Sequence, residues 1–189
     1  LPNRLIYGFC FHPQFEQNGY VYMHTNGPRR GDGSKDKFSQ VTRWTLNRQT
    51  NRIDPDSHLV ILQWDSNGHD GGGLVFGNDG MLYVTTGDGT SDSDVNVTGQ
   101  RIDLLLSKVL RINVDRPSKS RPYSIPRDNP FLNTPNAAPE TWAHGFRNPW
   151  RITSDPKTGD IWVGENGQDL WESVKRVVPG ANYGWSKFE

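Results

Sequence analysis

Several things are scarce in this chain. It has a single cysteine, Cys10, so no internal disulfide can form and a zinc cage built on cysteines is excluded. Neither charge is in excess, because 21 Lys and Arg balance 21 Asp and Glu. Without a basic field, neither nucleic acid nor an anionic membrane is held by electrostatics alone. Long apolar runs are missing as well. Leu59 to Leu62 is typical of the longest, against the ~20 residues that a spanning helix needs. The sequence opens on Leu1 without Met or an apolar leader and closes on Glu189 behind a dense motif. A piece of a longer chain is therefore expected, with other domains elsewhere.

What is abundant points to turns and strands. The 20 Gly and 13 Pro together exceed average usage, which argues for many tight turns and few long helices. Seven Trp, six Tyr and eight Phe argue against disorder. Three segments share one pattern: G-F-C-F-H-P-Q-F-E-Q-N-G-Y-V-Y, G-L-V-F-G-N-D-G-M-L-Y-V and R-I-T-S-D-P-K-T-G-D-I-W-V. Each reads as strand, polar turn, glycine, strand, which is a hairpin. The turn glycines are Gly19, Gly80 and Gly159, spaced by 61 and 79 residues. An uneven repeat of this length fits a β-propeller whose blades carry loops of different size. Thr42–Leu46 with Leu59–Gln63, Lys108–Val114 and Ser173–Val178 supply further strands for the three units. A generic antiparallel sandwich is the competing fold. Residues 102–109 read as either a short helix or a strand entry. Residues 116–138 read as a long loop on the face where a propeller builds its site.

Four clusters could carry chemistry. His69 precedes Gly71-Gly72-Gly73, which lets the backbone approach a ligand and leaves the imidazole clear. A neutral imidazole suits a general base near pH 7, though a hydrogen-bonded loop histidine fits too. Arg147, in G-F-R-N-P-W, offers a planar cationic fork, or else stacks on Trp150. The acidic run from Asp88 to Asp94 is either a cation loop or a solvated turn. Backbone carbonyls around Gly167, with Asp169 or Glu172, could hold Ca2+, or the segment is a plain hairpin turn. Gly71-Gly72-Gly73 does not fit the G-x-G-x-x-G of nicotinamide sites.

Taken in order, the motifs carry a resemblance. They are H-D-G-G-G-L-V-F-G-N-D-G-M-L-Y-V-T-T-G-D-G, L-L-S-K-V-L-R-I-N-V-D, Y-S-I-P-R-D-N-P-F, H-G-F-R-N-P-W, G-E-N-G-Q-D and N-Y-G-W. The series resembles the glucose/sorbosone dehydrogenase family, which takes in quinoprotein glucose dehydrogenases, aldose sugar dehydrogenases and the similar Hedgehog-interacting propeller. The resemblance implies an all-β, six-bladed propeller, with residues 1–189 as one partial domain of about three blades. It implies pyrroloquinoline quinone (PQQ) and Ca2+ as cofactors, a sugar substrate, a separate electron acceptor, and a periplasmic or secreted location. His69 and Arg147 take the catalytic positions. His69, Arg147, Asn148, Asn166 and Gly167 match the quinone-binding positions, and Gly167, Gln168, Glu172 and Tyr183 the metal-binding ones. A non-catalytic, calcium-stabilised propeller that binds a protein or glycan is the alternative. Departures matter. Asp70 and Gly73 replace the family's usual Asn and Gln after His69, and an acid beside the imidazole is expected to raise its pKa. Ser173 stands where the family carries a Glu that pairs with the Tyr of N-Y-G-W. Glu172 is one place away, but strand alternation turns it to the other face.

Overall fold

A computed structural model describes residues 3–28 and 36–189. Among them are eleven strands and one single-turn helix. The first sheet contains β1 (Leu5–Phe11), β2 (Tyr20–Pro28), β3 (Lys37–Asn47) and β4 (Arg52–Asp65). The second contains β5 (Leu74–Phe76), β6 (Leu82–Thr86), β7 (Lys108–Ile112) and β8 (Thr141–His144). The third contains β9 (Asn148–Ser154), β10 (Ile161–Asn166) and β11 (Glu172–Val177). Every sheet is an antiparallel meander in chain order.

The three hairpins expected from sequence are the first two strands of the three sheets. Gly19, Gly80 and Gly159 close their turns at φ 67, 75 and 77°, the left-handed region that glycine enters without steric cost. The first turn also holds a helix, α1 (Phe15–Asn18), which ends where Gly19 N–H donates to Phe15 O at 2.8 Å. Asn78 Nδ2 donates to the carbonyls of Asp155 and Pro156 at 3.4 and 3.1 Å, tying the second turn to the third. Residues 102–107 are irregular, and regular strand begins only at Lys108.

The sheets stack as propeller blades. Strand β5 touches both β1 and β9, so the leading strand of each blade meets the leading strand of its neighbour. The middle blade is covered on both faces, and β6 and β7 are buried at every position. Alternation divides β6 between two cores. Leu82 and Val84 join Tyr22, Val41 and Leu62 of the first blade. Tyr83 joins Phe146, Ile161, Val163 and Val177 of the third. The far faces of the outer blades carry exposed apolar side chains, Ile6, Phe9 and Phe11 on one and Trp162 and Val174 on the other. Such faces suit stacking on further blades.

The loop at 116–138 starts at the opposite end from the one expected, and its later part returns along β8, where Phe131 meets His144 edge-on. Strand β7 starts beside Thr86 and runs toward the β5–β6 hairpin turn. Arg111 near its end pairs with Asp79 of that turn at 2.9 Å and with Asp128 of the loop at 2.8 Å. The candidate site forms at the other end of the strands, from the segments that follow β4, β6, β8, β10 and β11.

Candidate functional site

The glycine run after His69 lies flat against β6. Gly72 N–H donates to Thr85 O at 3.2 Å and Gly73 N–H to Thr85 Oγ1 at 2.8 Å. A Cβ on Gly71 would sit 2.7 Å from Thr85 O, so no other residue fits there unstrained. Asn148 Oδ1, at the start of the third blade, accepts Gly71 N–H at 3.1 Å. Thus His69 is held at a positive φ of 35°, an uncommon conformation for a side-chain-bearing residue.

The partner of His69 is Asp88, whose Oδ1 lies 2.9 Å from His69 Nδ1. Asp88 is fully buried. Its Oδ1 also accepts Thr90 N–H and Thr90 Oγ1, both at 3.0 Å, and its Oδ2 accepts Trp185 Nε1–H at 2.9 Å. A backbone N–H and an indole N–H are donors only, so both carboxylate oxygens act as acceptors here. The imidazole proton is therefore assigned to Nδ1, leaving the Nε2 lone pair as the basic atom. Asp88 N–H donates to Arg147 O at 2.9 Å, so one residue contacts both expected catalytic positions.

The hydrogen bonds of Asp70 go to partners other than His69. Its Oδ1 accepts Asn26 Nδ2, Ser39 Oγ and Ser66 Oγ at 2.8, 3.0 and 2.5 Å. Tyr7 bonds to the same carboxylate, and burial first, then the Asp70 charge, push the Tyr7 hydroxyl up to about 12. The backbone turn at His69 sends the two adjacent side chains to different partners, which adjacency in sequence does not reveal.

Arg147 Nη1 donates to Gly167 O at 2.8 Å and Nη2 to Asp92 O at 3.4 Å. Its guanidinium lies 5.5 Å from the centre of the Trp185 ring. The buried Nε has no hydrogen-bond partner. Arg147 N–H donates to Glu165 Oε1 at 2.6 Å. Burial pushes the Glu165 carboxyl above its ordinary range, against the opposing pull of the Lys175 ammonium.

Two acids of the run, Asp88 and Asp94, are bonded internally. Asp94 accepts Thr98 N–H, Gly99 N–H and Ser186 Oγ at 2.7, 2.8 and 2.9 Å. Burial works to raise its pKa, but these bonds together hold it below the usual carboxylate value. Among the described residues, no three His, Cys, Asp or Glu side chains are grouped to hold a metal.

The expected metal-binding residues line three adjoining clefts. Gly167 and Tyr183 line one cleft of about 300 Å3 with Arg147, Glu165 and Lys175. Glu172 lies in a second with Asn166, whose Nδ2 donates to it at 2.8 Å. Gln168 lies in a third beside Asp94. Gly167 O is already an acceptor for Arg147, and Tyr183 Oη donates to Arg176 O.

The comparisons with known proteins agree with this architecture. The Glucose / Sorbosone dehydrogenase family model matches residues 6–189. The chain belongs to the glucose/sorbosone dehydrogenase family. It is 43% identical to the HIPL2 protein of Arabidopsis thaliana, over 63% of this chain and 18% of that protein. It is 35% identical to the human Hedgehog-interacting protein, over 95% of this chain and 28% of that one. It is 28% identical to quinoprotein glucose dehydrogenase B of Acinetobacter calcoaceticus, over 95% of this chain and 39% of that enzyme. A solved glucose dehydrogenase superposes with a TM-score of 0.78 at 26% identity, covering 96% of this chain and 49% of that one. The chain thus spans well under half of these curated relatives and about half of the solved propeller, the share that three of six blades would fill.

Against the family's cofactors, the residues divide. His69 Nε2 and the cationic Arg147, with its unpartnered Nε, suit an anionic quinone bearing carboxylates. For Ca2+, the set Gly167, Gln168, Glu172 and Tyr183 does not fit, because Glu172 is its only carboxylate and Gly167 O, Glu172 and Tyr183 Oη are already bonded.

Sequence reasoning missed Asp88 as the partner of His69, since a separation of 19 positions obeys no spacing rule. It also missed Lys175. Alternation along β11, where Ser173, Lys175 and Val177 are the more buried positions, carried that signal.

Proposed function

We propose that this chain is the part of a quinoprotein sugar dehydrogenase that carries the base and the arginine, with PQQ as the redox cofactor. The observation that carries this reading is Asp88, which bonds His69 Nδ1 through its carboxylate and Arg147 O through its backbone. When bound, PQQ supplies an electrophilic quinone that accepts two electrons from an aldose or related hydroxyl. His69 Nε2 takes the hydroxyl proton, and the buried Asp88 carboxylate stabilises the resulting imidazolium. Arg147 places a fixed positive charge where negative charge gathers, and Trp185 lies beneath it as a flat apolar wall. Asn148 holds the His69 loop through Gly71. Asn166 and Gly167 belong to the same reading, with Gly167 O orienting the Arg147 fork. The substrate is a sugar, the electrons leave to a separate acceptor, and the protein works in the periplasm or outside the cell.

The test is reconstitution of the full-length protein with PQQ, with and without CaCl2, assayed with a dye acceptor and an aldose panel. Turnover that His69→Ala abolishes supports the reading. Absence of both quinone binding and turnover overturns it.

A second reading is favoured by one observation: the relatives above 30% identity include HIPL and Hedgehog-interacting proteins. On that reading the propeller binds a protein or glycan and performs no chemistry. Partner binding that survives His69→Ala, with no quinone uptake, distinguishes it.

A further inference from the structure

The cleft lined by Arg147, Gly167, Ser173, Tyr183 and Trp185 contains a buried carboxylate that the proposed chemistry does not use. The Glu165 side chain is 3% exposed. A carboxylate so buried is strongly destabilising unless a positive charge and hydrogen bonds compensate it. Both are present. Glu165 Oε1 accepts Arg147 N–H at 2.6 Å, and Oε2 pairs with the Lys175 ammonium. Lys175 comes from β11, two residues beyond Ser173 and on the same face. Its Nζ lies 5.9 Å from the centre of the Tyr183 ring. One internal cation therefore stands between the acid and the tyrosine of this cleft, and Ser173 adds no second carboxylate.

We propose that Lys175, alongside the Arg147 guanidinium, is the cation paired with Glu165 in this cleft, replacing any need for a divalent ion there, and that through Glu165 it fixes the backbone at Arg147. Lys175 is thus a positioning residue, because it touches neither His69 nor the Arg147 side chain in the recorded contacts. The chain of contacts is short: ammonium to carboxylate, carboxylate to amide, and the amide belongs to the residue whose carbonyl receives Asp88 N–H. The inference stands apart from the catalytic reading, since it concerns how the loop at 145–148 is held and not what the site turns over.

The test uses amide hydrogen exchange of the full-length protein, resolved at Arg147. Lys175→Met is expected to speed exchange there by about tenfold or more while β2 and β3 stay unchanged. Lys175→Arg, which keeps the charge, restores most of the protection. Calcium chloride leaves the Arg147 amide of the native protein unaffected and slows its exchange in Lys175→Ala. Unchanged exchange at Arg147 in Lys175→Met overturns the proposal, as does protection of the native amide by calcium. Should Lys175→Met fail to fold, the double variant Glu165→Gln/Lys175→Met provides the second measurement. It is expected to fold and to be less perturbed than Lys175→Met, because no unpaired carboxylate remains. A double variant worse than Lys175→Met refutes the coupling.

Discussion

Asn148 Oδ1 accepts the backbone N–H of Gly71 at 3.1 Å, joining the first strand of the third blade to the loop that carries His69. Two motifs separated by 77 residues of chain thus share one hydrogen bond, and the His69 loop is held by a blade other than its own. Asn148→Ala leaves a buried N–H without an acceptor, at a cost of about 1–3 kcal/mol. Asn148→Asp keeps the acceptor oxygen and is expected to lose less. Urea midpoints of the two variants check this, and equal losses would show that the bond contributes nothing.

Asp88 contacts three donors and the His69 ring at once. Asp88→Asn replaces an acceptor by an NH2 group that must face either His69 Nδ1–H or Trp185 Nε1–H. A loss of about 2–3 kcal/mol in stability is expected. If the protein is the proposed dehydrogenase, kcat falls by about 10²–10⁴ as the imidazole loses its orientation. Denaturation and steady-state kinetics on one preparation separate the two effects.

Gly72 adopts a φ of 112°, and a Cβ there would lie 2.4 Å from Tyr7 Cβ. Gly72→Ala therefore meets backbone strain and a steric clash together, and should cost more than ~2 kcal/mol. Gly80, whose added Cβ meets nothing within 4 Å, serves as the control. Its φ of 75° makes Gly80→Ala cost only the turn strain, so a larger loss there than at Gly72 would contradict the account.

His24 is fully buried, edge-on to Tyr7 and Trp64, and neither ring nitrogen has a hydrogen-bond partner. Burial first, then the charge of Arg4, lower its pKa to about 3. The unfolded chain binds the proton near the ordinary histidine value, so it carries more protons than the folded state between about pH 6.5 and 3. Stability from a neutral His24 is complete above that window and is lost as pH falls through it, by up to ~5 kcal/mol. His24→Leu is expected to flatten this acid slope. Urea titrations at several acidic pH values, with parallel slopes in both proteins, would refute it.

Cys10 packs beside the core between the first two blades, and burial pushes its thiol up to about 12. Almost no thiolate exists at pH 8, and thiolate is the reactive form. Iodoacetamide should label the native protein slowly and the urea-unfolded protein completely. Rapid stoichiometric labelling of the native form would contradict this.

The hairpins were legible because their signal is local. Gly19, Gly80 and Gly159 each sit in a polar turn between β-rich runs, and each takes the expected left-handed φ. Strand direction was harder to read, so the start of the 116–138 loop was expected at the wrong end. Which end a loop occupies depends on counting strands, and β5 is only three residues long. In the site, His69 and Arg147 stood out by their glycines and charge. Asp88, Glu165 and Lys175 did not, because their roles arise from pairings between strands and loops that no short motif encodes. Asp88 was read with its acidic neighbours, yet burial turns it inward against His69 and Trp185.

Residues 115–121 form a continuous exposed stretch at the end of the blades away from His69 and Arg147. The contacts recorded for both residues come from other segments. This stretch is therefore the place to open the polypeptide. A small fluorescent reporter spliced between Ser118 and Lys119 gives the protein a handle for surface immobilisation or distance measurement, while every hydrogen bond around Asp88 stays as it is.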